Sequence, residues 1–188
     1  VQTFGFHLAV LDIRQNSSFH DQAIEQLLET AGFADTSFGS WSEEARLNFL
    51  EQELKTNRPF ALSTTPIGPQ ATAIRECYGV LRQYMEAHGE QGIGNFIVSM
   101  TRSASDLMSV YLLANEAGLL HQTEDGLICP IHIVPLFETI DDLIASPAIM
   151  QRFLADPLTQ RSLRYQQQAT GWDRPTQQIM VSYSDSNK

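Results

Sequence analysis

Apolar positions recur along this chain with two periods, and the periods take turns. Residues 3–14, TFGFHLAVLDIR, place Phe4, Phe6, Leu8 and Val10 two apart, which predicts a strand. Phe19, Ile24, Leu27, Leu28 and Ala31 then follow helical spacing. Ser18, with Asp21 three residues later, predicts a capping box at the start of that helix, and Gly32 predicts its end. Ser42 before Glu43 and Glu44 predicts a second helix, because acids suit the positive end of the helix dipole. A longer helix is predicted from about Pro69 to His88, stopped by Gly89. NFIVSM (95–100) predicts a second strand, and Ser103 with Asp106 a capping box for the largely buried helix DLMSVYLLANEAG. LICPIHIVPLFE (127–138) reads as a third strand segment, followed by a helix interrupted near Pro147. Asp156-Pro157 reads as an N-cap with proline at the first helical position. The polar run 165–178 predicts a loop, and IMVSYSDS (179–186) a fourth strand with its exit turn.

Strands alternating with helices predict an α/β fold of parallel β/α units. Strands apolar on both faces fit a sheet covered by helices. Polar residues gather at each strand's C-terminal end: Asp12 and Arg14, Thr101 and Arg102, Glu138, and Ser184 with Asp185. In a β/α barrel that end carries the active site, and four strands make about half of such a barrel. The expectation is a partial (β/α) barrel rich in helices. Residues 1–188 would be a single segment of a larger catalytic barrel domain, truncated at both ends, with the opening Val1 as one hint.

Composition narrows the function. Hydrophobic residues make up 43% and charged residues 18%, enough apolar surface for a core. The net charge of -10 argues against nucleic acid as a partner, since no basic face neutralises phosphates. It leaves room for an anionic small substrate, because a few arginines in one pocket override the global field. No run of apolar residues approaches the length of a membrane span, and residues 1–20 carry no leader pattern. Cys77 and Cys129 form no CxxC, so reduced core cysteines in a cytoplasmic protein are expected.

The segment IHIVPLFETIDDL (131–143) ends an apolar run in three carboxylates. Thr139 and Asp142 have capping-box spacing, and Asp141 and Asp142 fall in a first helical turn, so those two aspartates read as helix-start residues. Glu138 precedes the cap and is either a solvated loop acid or a ligand. Asp185 holds the same kind of place after another strand, or is an ordinary turn residue between two serines. Two carboxylates at neighbouring strand ends can hold a hard divalent cation, for which Mg²⁺ or Mn²⁺ suits better than zinc. Arg14 is either half of a buried pair with Asp12 or an anion clamp whose guanidinium forks onto phosphate. Lys188, the last residue given, reads as a solvated terminus. His7 reads as a core residue. His20 could face the site, whereas His88, His121 and His132 form no constellation.

The strings LDIRQNSSFH, FIVSMTRSASDLMSVYLLANEAGL, VPLFETIDDL and IMVSYSDSNK, in this order, resemble phosphoenolpyruvate carboxylase of the bacterial and plant type. The resemblance runs from about residue 5 to the last residue and is weaker across 33–90 and 160–178. It implies a barrel of parallel strands surrounded by helices. It implies a lyase that joins phosphoenolpyruvate and bicarbonate into oxaloacetate and phosphate, feeding the tricarboxylic acid cycle. Mg²⁺ or Mn²⁺ would be required and the assembly would be a cytoplasmic homotetramer. By resemblance, Glu138 and Asp185 match metal-binding carboxylates, Arg14 matches an arginine that holds the substrate phosphate, and Lys188 matches an active-site lysine. The family's TAHPTE-like histidine motif and its glycine- and arginine-rich loop are not among these residues. The 188-residue chain alone is therefore expected to lack meaningful turnover. The competing expectation is a non-catalytic half-barrel remnant that serves only as an interaction module. A different metal-dependent β/α enzyme acting on an enol phosphate would use the same three residues, Glu138, Asp185 and Arg14.

Overall fold

The computed structural model of the chain describes residues 10–182. The chain runs β1 (Leu11–Asn16), α1 (Ser17–Ala31), α2 (Glu43–Glu53), α3 (Pro69–His88), β2 (Ile93–Ser99), α4 (Ala104–Glu116), β3 (His121–Thr123), β4 (Gly126–Ile128), β5 (His132–Phe137), α5 (Ile140–Ala155), α6 (Pro157–Thr170) and β6 (Met180–Val181). β1, β2, β5 and β6 form one parallel sheet in that spatial order, and β3 pairs with β4 as a separate antiparallel hairpin. The parallel α/β expectation is met. None of the helices in the described region is long and apolar enough to cross a membrane.

Alternation along the strands separates two apolar faces. Phe96, Val98, Ile133 and Phe137 join the main core against the helices. Ile97, Val134 and Leu136 form a small cluster of their own on the opposite face. α4 lies between α1, α2, α3 and α5, which is why it is buried on all sides, from Leu107 to Ala114. Each such Leu or Met contributes roughly 1.5–3 kcal/mol through burial. The two-faced covering expected of every strand holds for β2 and β5 only. β1 is an edge strand with Leu11 68% exposed, and Met180 and Val181 of β6 are exposed as well.

Local chemistry explains most of the boundaries, including four that differ from expectation. α1 is capped by Asn16, whose Oδ1 accepts from the Ser18 amide at 2.9 Å, and not by Ser18. Asp21 is consequently free of the capping role and turns inward. The run 127–138 is split into β4 and β5 around Pro130, and β4 folds back on β3 instead of joining the sheet. Pro147 sits inside an unbroken α5. Proline offers no N–H to the Leu143 carbonyl, and Ser146 Oγ donates to that oxygen at 2.9 Å in its place. α6 runs on to Thr170 through residues expected to be a loop. Gln166 is buried there, and its Nε2 donates to the Cys129 and Ile131 carbonyls at 3.1 and 2.8 Å, satisfying backbone that lies between β4 and β5. Phe4, Phe6, His7, Leu8 and the end of the fourth strand lie outside the described residues.

Candidate active site

All four sheet strands point the same way, so Asn16, Ser99, Phe137 and Val181 end at one edge. Three β/α units meet at that edge in hydrogen bonds around Glu138. Arg14 Nη2 donates to Glu138 Oε1 at 2.6 Å. The Met100 amide donates to Glu138 Oε2 at 3.2 Å. The Glu138 side chain is 5% exposed and that of Arg14 is 53% exposed. The acid is thus held inside while the guanidinium stays open on one flank. Arg14 therefore pairs with Glu138, across 124 residues, and not with Asp12, whose Oδ1 instead accepts from the Asn95 amide at 2.7 Å. With one donor on Glu138, its other N–H groups have no protein partner among the described residues, which leaves a fork for an anion.

The backbone around Glu138 is fixed from behind. Asp142 Oδ2 accepts from the Glu138 and Thr139 amides at 3.3 and 3.0 Å, and Thr139 Oγ1 accepts from the Asp142 amide at 3.1 Å. The aspartates of this segment therefore start a helix, as their spacing indicated. Asp185 and Lys188 lie outside the described residues. Among the described residues no group of three or more His, Cys, Asp or Glu could hold a metal ion. His20 does not face the site. It is fully buried, Nε2 meets Gln15 Oε1 at 3.0 Å, and its ring lies 5.9 Å from that of Phe96. Burial pushes its pKa down to about 4, with the charge of Asp106 opposing. The cysteines are free, and burial pushes the Cys129 thiol up to about 12.

A second charged cluster beside the site was not legible in the sequence. Arg46 Nη2 bonds Asp21 Oδ1 at 2.5 Å and Asp106 Oδ1 at 3.0 Å. Arg102 Nη2 joins the same acids at 2.8 and 3.1 Å. Asp106 Oδ2 also accepts from the Arg102 and Ser103 amides at 2.8 and 3.2 Å, which closes the expected capping box of α4. Burial pushes the Asp21 carboxyl above its usual range, with Arg46 pulling the other way. Only the Asp106 half of this network had a local signal. A cavity of about 510 Å³ lined by Leu54, Lys55, Met108, Arg152, Leu158 and Arg161 contains neither Arg14 nor Glu138.

The phosphoenolpyruvate carboxylase family model matches residues 1–188. The chain belongs to the phosphoenolpyruvate carboxylase family. It is 38% identical over 194 residues to a phosphoenolpyruvate carboxylase of Rhodothermus marinus, and 39% identical over 188 residues to one of Aromatoleum aromaticum. A cyanobacterial relative from Synechococcus is 37% identical over 188 residues. Each match takes in 100% of this chain and 17–20% of the relative, so the chain spans about a fifth of the length of the curated relatives it matches. The parallel sheet and its covering helices are consistent with a partial barrel of this family's type.

Proposed function

We propose that this chain supplies part of the active site of a phosphoenolpyruvate carboxylase, which converts phosphoenolpyruvate and bicarbonate into oxaloacetate and phosphate. The observation that carries the reading is the Arg14–Glu138 pair, a half-open guanidinium on a buried carboxylate at the C-terminal edge of a parallel sheet. Arg14 would bind the substrate phosphate through its unpartnered donors and neutralise charge on the transferring phosphoryl group. Glu138 and Asp185 would hold Mg²⁺ or Mn²⁺, and Lys188 would orient bicarbonate or CO₂ electrostatically.

The described residues fit such an ion. Glu138 is a buried oxygen donor whose Oε1 and Oε2 are held by donors from two other units, and no thiolate or imidazole adjoins it in these hydrogen bonds. Hard oxygen donors of this kind suit Mg²⁺ or Mn²⁺. When bound, the ion supplies Lewis-acid stabilisation of negative charge developing on a substrate oxygen. The working assembly in this reading is a cytoplasmic homotetramer, to which the remaining parts of the enzyme bring the other phosphate and proton-transfer groups.

The test is oxaloacetate formation by the full-length protein carrying this chain, followed through NADH oxidation with excess malate dehydrogenase. Turnover that requires phosphoenolpyruvate, bicarbonate and Mg²⁺ together, and that Glu138→Gln abolishes, supports the proposal. A folded full-length protein without such turnover would leave the non-catalytic half-barrel reading in its place. The same assay on residues 1–188 alone is expected to show no turnover.

A further inference from the structure

Met100 is the one residue other than glycine with a positive φ among the described residues, at 55°. Its side chain does not explain that choice, because the residue is 45% exposed and belongs to neither core cluster. Both of its backbone polar groups are committed instead. The amide donates to Glu138 Oε2 at 3.2 Å, and the carbonyl accepts from Ser17 Oγ at 2.7 Å. Ser17 is 1% exposed and does not cap α1, since Asn16 does. Thr101, fully buried, closes the turn from the other side by donating Oγ1 to the Val98 carbonyl at 2.8 Å. A left-handed backbone that L side chains avoid persists only where its surroundings impose it.

We propose that the Met100 amide, set in the left-handed conformation by Ser17, is a positioning donor that fixes the plane of the Glu138 carboxylate for the divalent cation. The inference rests on the metal-binding role given above to Glu138. The carboxylate has two oxygens and would otherwise rotate about its last side-chain bond. Arg14 holds one oxygen from a long side chain that is half exposed. The amide holds the other from backbone, which does not swing. Ser17 is the residue that keeps the amide aimed, and the Met100 side chain is dispensable to that aim. Partners of metal ligands that act in this way change metal affinity by roughly 10- to 100-fold when removed.

The experiment measures Mn²⁺ affinity of the full-length protein by the electron paramagnetic resonance signal of free Mn²⁺, without substrate. Ser17→Ala is expected to weaken Mn²⁺ binding about 10-fold. The Mn²⁺ concentration needed for half-maximal turnover should rise in step, with turnover at saturating Mn²⁺ little changed. Ser17→Thr keeps the hydroxyl and should restore affinity. Met100→Gly keeps the amide and tolerates the left-handed region, so it should bind Mn²⁺ like the parent. Met100→Val, a branched residue disfavoured there, should weaken binding with Ser17 intact, which serves if Ser17→Ala fails to fold. A purely structural turn would lower thermal stability and leave Mn²⁺ affinity alone in Ser17→Ala and Met100→Val, and that result overturns the proposal. Glu138→Gln separates the two levels. If it loses Mn²⁺ while the turn variants do not, only the positioning role is wrong. If it too binds Mn²⁺ normally, the metal-ligand role of Glu138 falls and the positioning role with it.

Discussion

Two arginine–carboxylate clusters lie side by side here and are built to opposite ends. In the Arg14–Glu138 pair the acid is buried and the base is open, with one arginine donor committed. In the Arg46–Asp21–Asp106 cluster the base is buried too, at 7% side-chain exposure, and bridges two acids while its guanidinium lies 4.6 Å over the Phe38 ring. Arg102 then covers the cluster from outside. One arrangement leaves its guanidinium half-open to solvent; the other buries it between α1, α2 and α4. What separates the two is how open the arginine is, not the presence of an ion pair.

Cutting the brace should cost the most. Arg46→Ala leaves Asp21 and Asp106 buried with only Arg102 for charge, and should destabilise the fold by about 3–5 kcal/mol in urea unfolding. Arg14→Ala sharpens the contrast from the other side. Turnover in the full-length protein should fall roughly 10²- to 10³-fold, yet stability should change by less than in Arg46→Ala, because Glu138 keeps the Met100 amide and the vacated flank opens to water. An equal stability loss in both variants would erase the distinction.

The brace region also carries an acid response. His20 has a folded pKa of about 4 against an ordinary 6.5, so the unfolded chain takes up a proton that the folded chain refuses. Its contribution to stability is complete above pH 6.5 and is lost as pH falls toward 4, to a total of about 3 kcal/mol. His20→Gln should flatten the difference in urea midpoint between pH 7 and pH 5 relative to the parent, while the pH dependence of Mn²⁺ binding should keep its shape. The smallest effect belongs to the cap behind Glu138. Thr139→Ala should cost about 1 kcal/mol in thermal unfolding, with a smaller loss of turnover than Arg14→Ala.

What the sequence revealed divides along the reach of the interactions. The caps at Ser42, Thr139 with Asp142, and Asp156, and the stops at Gly32 and Gly89, are contacts within a few residues, and each lies where expected. The β/α alternation was legible because periodicity is local as well. Asp21 was misassigned because its spacing from Ser18 matches a capping box, while its actual partners, Arg46 and Arg102, are 25 and 81 residues away. Pro147 was read as a break because nothing in a propensity announces that Ser146 will serve the orphaned carbonyl. The run 165–170 looked solvated because Gln166 is polar, and its use on the carbonyls of Cys129 and Ile131 needs the hairpin to be in place first. The site shows the same limit. Arg14 and Glu138 stood out by their places at strand ends, whereas a backbone amide such as that of Met100 has no letter in a sequence.

The spread of the site along the chain has a consequence in time. Its bonds close over 124 residues from Arg14 to Glu138, 83 from Ser17 to Met100, and 38 from Met100 to Glu138. Helices form in about a microsecond, but contacts between distant segments wait for the chain loops that separate them to close. If Glu138 holds the metal as proposed, the refolding full-length protein should regain its far-ultraviolet dichroism before Mn²⁺ uptake, and a stopped-flow trace in which both signals recover together would contradict this. During synthesis the same order means that three β/α units must dock before these bonds close, since Glu138 is the last of the four residues that make them to leave the ribosome.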